Sequence, residues 1–190
     1  MKRQLADVAR LGATHAYVVA GTDGTADGRA RFAEACGLLA DYAAGLFTLL
    51  RPQGRLLNHA ISLRPDDPQQ GPESSSFIDR YVFPDGELQP IARMVATLED
   101  AGFEVRDLES LREHYALTLR AWCANLDRNW DAAVAAASLA RARVWRLYMT
   151  GSAMSFESND IGVNQVLAVR PGPRGQSGMP PTRAWLLGAH

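Results

Sequence analysis

One histidine in a mostly apolar strand pattern is a candidate for chemistry. His59 stands in residues 55–61, Arg-Leu-Leu-Asn-His-Ala-Ile, near the carboxyl end of a predicted β-strand. Open α/β sheets bind their ligands at the carboxyl ends of strands, and imidazole changes charge near neutral pH. His59 is therefore a candidate site residue. The alternative is a core histidine held by hydrogen bonds.

A second candidate is the aromatic segment that opens residues 77–90, Phe-Ile-Asp-Arg-Tyr-Val-Phe-Pro-Asp-Gly-Glu-Leu-Gln-Pro. A helix or strand formed by the preceding residues is expected to end at Pro84-Asp85-Gly86. Proline disfavours a helical conformation at Phe83, and Asp-Gly favours a turn. By composition the segment is either a buried corner or one wall of an apolar pocket. Its large apolar residues are Phe77, Ile78, Tyr81, Val82 and Phe83.

Composition excludes several classes of function. The chain has 190 residues, which suits one domain, and its net charge of −1 gives no global positive field for nucleic acid. The two cysteines form neither a metal spacing nor a disulfide framework, so a reducing cytoplasm is the expected location and no metal is expected. No apolar run approaches the ~20 residues of a membrane span. The polar loop at 21–28 has neither GxGxxG nor a P-loop lysine, so no phosphate site is predicted.

The periodicity predicts an α/β fold in one domain. Predicted strands cover 15–20, 55–61, 103–108 and 161–170, and helical patterns cover 29–50, 88–102 and the long stretch 111–148. Residues 63–76 predict an exposed loop within a lid or insertion region at 63–101. The domain is expected to end at residue 172, and 173–190 to form a flexible tail.

Five ordered segments carry a family resemblance: LLRPQGRLLNHAIS (49–62), FIDRYVFPDGEL (77–88), LREHYALTLRAWCANLDRNWD (111–131), ARVWRLYM (142–149) and IGVNQVLAVRPG (161–172). They resemble the cyclopropane-fatty-acyl-phospholipid synthases and their mycolic-acid-modifying relatives. These are S-adenosylmethionine-dependent methyltransferases that act on lipid acyl chains. The resemblance implies the second half of a Rossmann-like methyltransferase sheet, with about four strands and an α-helical acyl-binding insertion.

The resemblance implies a bicarbonate site. His59 and Ile61 match a His-x-Ile motif whose histidine side chain and isoleucine backbone hold a bicarbonate ion, and Tyr115 matches a bicarbonate-binding tyrosine. In the family, bicarbonate is thought to take a proton from the methylated acyl carbocation. Glu34 is the nearest match to the family's catalytic glutamate, and a solvated helix carboxylate is its alternative interpretation.

The resemblance also implies an acyl-chain site, with Phe77, Tyr81 and Phe83 as contacts. The partner there would be a lipid or polyketide acyl chain, with peripheral membrane contact. Three tryptophans, Trp122, Trp130 and Trp145, are expected in the core and not as stacking platforms.

The family's cofactor motif has no counterpart in this sequence. Family members bind S-adenosylmethionine with a glycine-rich loop such as D-x-G-C-G-W-G and with an acidic residue after the second strand. Without those groups the isolated chain is expected to bind no cofactor. A half-sheet also has an unpaired edge, which predicts a partner chain or a second protomer.

Two functions remain open from the sequence. The chain is either one part of an acyl-chain methyltransferase, completed by a partner that supplies the cofactor half, or a degenerate, non-methylating homologue. In the second case it acts as an apolar-ligand binder, a partner subunit or a cofactor-free cyclase.

Overall fold

The protein has an α/β fold in which one mixed β-sheet carries helices on both faces. This confirms the predicted fold class. The computed structural model describes residues 26–64, 77–78, 80–83 and 88–184, with side chains of the first helix described from Leu39 onward. The predicted strand at 15–20 lies outside these residues, as does the predicted loop at 63–76 after Arg64, whereas Leu63 belongs to a strand. The helices are α1 (Ala26–Leu49), α2 (Ile91–Asp100), α3 (Arg112–Arg128), α4 (Trp130–Ala137) and α5 (Leu139–Glu157), and the strands are β1 (Arg55–Leu63), β2 (Gln89–Pro90), β3 (Glu104–Ser110) and β4 (Ile161–Val169).

The described strands form one sheet in the order β2-β1-β4-β3. β4 runs antiparallel to β1 over nine consecutive residue pairs, and β3 runs antiparallel to β4 with one irregularity between Val105 and Asp107. β2 is a two-residue parallel addition beside Ser62 and Leu63. The sequence pattern did not predict β2, because two residues are too short to show a period of two.

One apolar cluster lies between the sheet and the pair α1 and α2. The stripe of α2 packs there because Met94 and Leu98 lie four residues apart, one helical turn. Gly102 ends α2 at φ +98°, a conformation that glycine tolerates, and the ring of Phe47 lies 3.2 Å from where a Cβ would stand. The buried members of this cluster are Leu39, Tyr42, Ala43, Leu56, Met94, Leu98, Phe103, Val166 and Ala168.

A second apolar cluster lies on the opposite face, under α3 and α5. Its buried members are Ala116, Leu119, Ala153, Phe156 and Val163. The faces are opposite because Val163 and Val166, three residues apart on β4, belong to different clusters, and side chains alternate along a strand.

α3 and α5 form an antiparallel pair over this second face. The guanidinium of Arg112 donates to the carbonyl of Phe156 at 2.6 Å, at the carboxyl end of α5. At the other end Arg146 pairs with Asp127 at 2.9 Å. Ser138 is the N-cap of α5. Its hydroxyl accepts a hydrogen bond from the backbone N–H of Arg141 at 3.3 Å.

The segment after β4 lies against the sheet as far as it is described. Arg55 donates to the carbonyl of Gly178 at 3.4 Å, and Arg183 pairs with Asp107 of β3 at 2.5 Å. A flexible tail over residues 173–190 stays a prediction, and its last six residues lie outside the described part.

Candidate functional site

His59 occupies the middle of the sheet's central strand pair. β1 extends to Leu63, two residues beyond its predicted end, so His59 is the fifth of nine strand residues and not near the carboxyl end. Its ring is half-buried, and its Nδ1 lies 3.3 Å from the amide Nε2 of Gln165. Gln165 is the residue directly opposite on β4. The sequence pattern did not single out Gln165, because the pairing spans 106 residues.

The three residues of the predicted bicarbonate site lie on one face of the sheet. Ile61 packs against the cluster under α3 and α5, and His59, two residues earlier, points to the same face. Tyr115 packs against that cluster too. β4 positions it, since the carbonyl of Val163, opposite Ile61, accepts from the N–H of Leu111 at 2.9 Å, one turn before Tyr115.

Aromatic contacts fix the Tyr115 ring. It meets Phe156 of α5 at a centroid distance of 4.9 Å and Trp122 of α3 at 6.0 Å, both edge-on. Trp122 is 48% exposed and Trp145 39% exposed, so the prediction that these tryptophans are core residues is wrong. They lie on the outer sides of α3 and α5, which sequence spacing alone could not determine.

The aromatic segment is exposed and does not form a buried corner. Val82 and Phe83 both donate their N–H to the carbonyl of Ile78, at 2.9 and 2.8 Å, which closes a tight turn. Phe77 contacts Tyr81 at 5.5 Å, and Tyr81 is 54% exposed. Phe83, 42% exposed, reaches α5 instead, so the three predicted acyl contacts divide between two ring groups.

Phe83 belongs to an aromatic patch with two residues of α5 that sequence reasoning did not assign to the site. Its ring meets Tyr148 edge-on at 5.7 Å, and Tyr148 meets Trp145 at 5.5 Å. Burial raises the pKa of the Tyr148 hydroxyl, and a hydrogen bond with Ser152 opposes that rise. The segment ARVWRLYM contained both rings, and their i, i+3 spacing was the available signal.

A small cleft lies elsewhere, where the carboxyl end of β1 meets β2, α1 and α2. Its lining does not include His59, Tyr115 or the aromatic segment, so a cavity between those groups stays a prediction. Glu34 lies in α1, but its side chain is outside the described part. The cleft residues are Leu39, Ala60, Ile61, Ser62, Gln89, Ile91 and Met94.

Within residues 26–64, 77–78, 80–83 and 88–184, no group of three or more histidine, cysteine, aspartate or glutamate side chains could hold a metal ion. Within the same residues, no helix is both long and apolar enough to cross a bilayer.

The predicted site residues His59, Ile61 and Tyr115 lie in a part of the chain that is similar to known proteins. A family profile described as mycolic acid cyclopropane synthetase matches residues 34–166. A probable fatty acid methyltransferase of Mycobacterium tuberculosis is 44% identical over 144 residues, covering 76% of this chain and 33% of the relative. One of Pseudomonas putida is 42% identical over 146 residues, covering 76% and 37%. The chain thus spans about a third of the length of these relatives.

Solved structures agree with the sequence comparisons. The cyclopropane synthase MmaA2 from Mycobacterium tuberculosis superposes with a TM-score of 0.64 at 29% identity, covering 70% of this chain and 50% of that one. The mycolic acid cyclopropane synthase CmaA1, solved with SAH and CTAB, gives 0.63 at 29% with the same coverage. This likeness confirms the predicted partial Rossmann-like fold.

Proposed function

Because the chain belongs to the mycolic acid cyclopropane synthetase family, we propose that it supplies the acyl-chain and bicarbonate side of a methyltransferase. The reaction would transfer a methyl or methylene group from S-adenosylmethionine to an unsaturated acyl chain. One observation carries the proposal: His59, Ile61 and Tyr115 lie on the same face of the sheet, under α3 and α5.

The proposed anion site consists of neutral donors in partly buried positions. The imidazole of His59 and the phenol of Tyr115 can each donate one hydrogen bond to a carboxylate-like oxygen. Partial burial of the two side chains strengthens such bonds, because less water competes for the anion. These groups fit a small anion such as bicarbonate, and the residues would hold and orient it beside the acyl chain.

The described residues do not fit S-adenosylmethionine. The cleft at the carboxyl end of β1 is lined by apolar groups with Ser62 and Gln89, and none of its lining residues carries the carboxylate that would bind ribose hydroxyls. We assign the cofactor half to structure outside the described residues, on a partner chain or a second protomer. No step of the transfer is assigned to these residues.

Grafting tests the proposal directly. Residues 34–190 would replace the matching segment of the Pseudomonas putida fatty acid methyltransferase, and transfer of labelled methyl groups to unsaturated phospholipid would be measured. The graft should be active, and His59→Ala should abolish turnover while leaving acyl binding nearly intact. His114→Ala is the matched control, since His114 is exposed and should keep activity. Lost binding with unchanged turnover per bound substrate would give His59 a structural role.

The acyl contacts need a separate binding test. Phe83→Ala should weaken binding of an oleoyl lipid by about tenfold or more, because burying a phenyl ring contributes about 1.5–3 kcal/mol. Leu117→Ala, an exposed apolar position on α3 outside the patch, should leave the affinity unchanged. Equal effects of the two substitutions would remove the aromatic patch from the acyl site.

The first half of α5 is the surface we assign to peripheral membrane contact. Arg143 is exposed one helical turn before Leu147, which is 60% exposed, and the sequence has no acidic residue between Ala132 and Phe156. Such a surface suits anionic headgroups, with apolar side chains entering the interface. Co-sedimentation with anionic vesicles should fall for Arg143→Glu, and binding that ignores lipid charge would contradict the assignment.

The second candidate, a non-methylating acyl binder, is favoured by the exposed patch of Phe83, Tyr148 and Trp145. This patch is available to an apolar ligand without any cofactor. An inactive graft, combined with oleoyl-lipid binding by the chain alone, would favour this candidate over the methyltransferase.

A further inference from the structure

The inference concerns Gln165, a residue with no role in the proposal above. We infer that Gln165 is a positioning residue that fixes the neutral imidazole of His59 in the tautomer with its proton on Nε2. The inference rests on the proposed function only where it says what this proton does.

The contact between His59 and Gln165 lies in the middle of the β1–β4 ladder. His59 and Gln165 are direct partners in the β1–β4 ladder, which has no register shift from Arg55↔Val169 to Leu63↔Ile161. β4 also pairs with β3 on its other side, so Gln165 lies on a strand paired at both edges. Both side chains are half-buried on one face. The backbone pairing therefore keeps the two side chains next to each other on that face.

Hydrogen-bond chemistry then sets the tautomer. The Gln165 Nε2, 3.3 Å from Nδ1, belongs to an amide NH₂ group that donates and cannot accept. Nδ1 must therefore be the acceptor, without a proton, and in a neutral ring the proton is on Nε2. The N–H of the neutral His59 ring is then on the nitrogen that does not face Gln165.

An amide partner of the imidazole differs from a carboxylate partner in its charge. A glutamate at position 165 would accept from Nδ1–H and stabilise a charged imidazolium, whereas glutamine carries no charge. In the proposed site a neutral donor holds bicarbonate without protonating it, so the anion keeps its basicity. Glu109 is the partner of Gln165 on β3, but it is exposed and no direct bond from it to Gln165 is observed.

Nitrogen NMR on the full chain tests the inference without any activity. Long-range ¹⁵N–¹H correlations of labelled histidine identify which nitrogen carries the proton, at pH about 8.5, above the ordinary histidine pKa of about 6.5. His59→Asn assigns the signal among the four histidines. We expect the proton on Nε2 in the wild type and on Nδ1 in Gln165→Glu. Glu109→Gln, in the same row of the sheet, is the control and should match the wild type.

Other results would overturn it. A wild-type proton on Nδ1, or a Gln165→Glu spectrum identical to the wild type in a folded chain, contradicts the assigned tautomer. Gln165→Leu, similar in size and unable to donate, provides a second variant and should raise the share of His59 rings with the proton on Nδ1; an unchanged share would also contradict the inference. If the tautomer switches as expected but the grafted enzyme is inactive, the proposed function fails and the role of Gln165 stands.

Discussion

The ring of Tyr115 meets the ring of Phe156 at a centroid distance of 4.9 Å and an interplanar angle of 64°. Phe156 is almost completely buried, so one side of the tyrosine ring is held by the core. Edge-to-face pairs of this kind contribute about 0.5–1.5 kcal/mol beyond area burial. Because this contact holds the ring, the hydroxyl of Tyr115 has a fixed position, as an anion-binding tyrosine requires.

Tyr115→Phe separates the hydroxyl from the ring. The variant keeps the ring contacts with Phe156 and Trp122, so any change in its free energy of unfolding comes from the hydroxyl alone. Bicarbonate-dependent turnover of the grafted enzyme should nevertheless fall by about 10²-fold or more, as for loss of one positioned donor. Turnover like that of the wild type would remove Tyr115 from the proposed site.

Tyr42 should make the chain sensitive to alkali. Burial raises the pKa of Tyr42 from 10.0 to about 12. The folded state therefore keeps a proton that the unfolded state releases, so this contribution is complete below pH 10 and is lost as the pH rises through 12. The loss should be on the order of 3 kcal/mol. Urea unfolding between pH 9 and about 12 should show a weaker decline for Tyr42→Phe, and equal slopes would refute the prediction.

The ion pair between Arg120 of α3 and Glu157 of α5 should make the stability of the fold depend on pH in the acid range. A hydrogen bond from Arg120 lowers the pKa of Glu157 below its ordinary 4.5, and both groups are exposed. The lowered pKa means that the stabilisation is present above pH 4.5 and is lost as the pH falls through the lowered pKa. Arg120→Ala should flatten the acid limb of stability against pH. Because the pair is exposed, 1 M salt should also reduce the difference between the two proteins.

The chain alone should not bind S-adenosylmethionine. The sequence contains no glycine-rich cofactor motif. None of the residues lining the β1 cleft carries a carboxylate that could bind ribose. Titration calorimetry should show no saturable heat, with the grafted enzyme as the positive control. Micromolar binding at one site per chain would reverse this prediction.

Self-association is expected in solution. Leu117, Leu147 and Met154 are each more than half exposed on α3 and α5, and exposed apolar groups of this kind favour contact with another surface. Sedimentation velocity should show a dimer or larger species, or a requirement for a partner chain. Leu147→Glu should shift the distribution towards monomer, and a monomeric wild type at all concentrations would count against the prediction.

Local periodicity determined most of the elements. The largely apolar residues on both faces of 55–61 predicted β1, the stripe of Leu88, Ile91, Val95 and Leu98 predicted α2, and ordered motifs predicted the family. These signals survive in a single sequence because a strand repeats every two residues and a helix every 3.6.

Tertiary structure alone decided how these elements meet. The partner of His59 is a glutamine 106 residues away, selected by the register of β1 on β4. The exposure of Trp122 and Trp145, and the contact of Phe83 with Tyr148, likewise depend on which side of α3 and α5 faces the sheet. Periodicity shows that a helix has an apolar side, but the facing surface decides which aromatic residues are covered, and that surface is set by strand pairings distant in sequence.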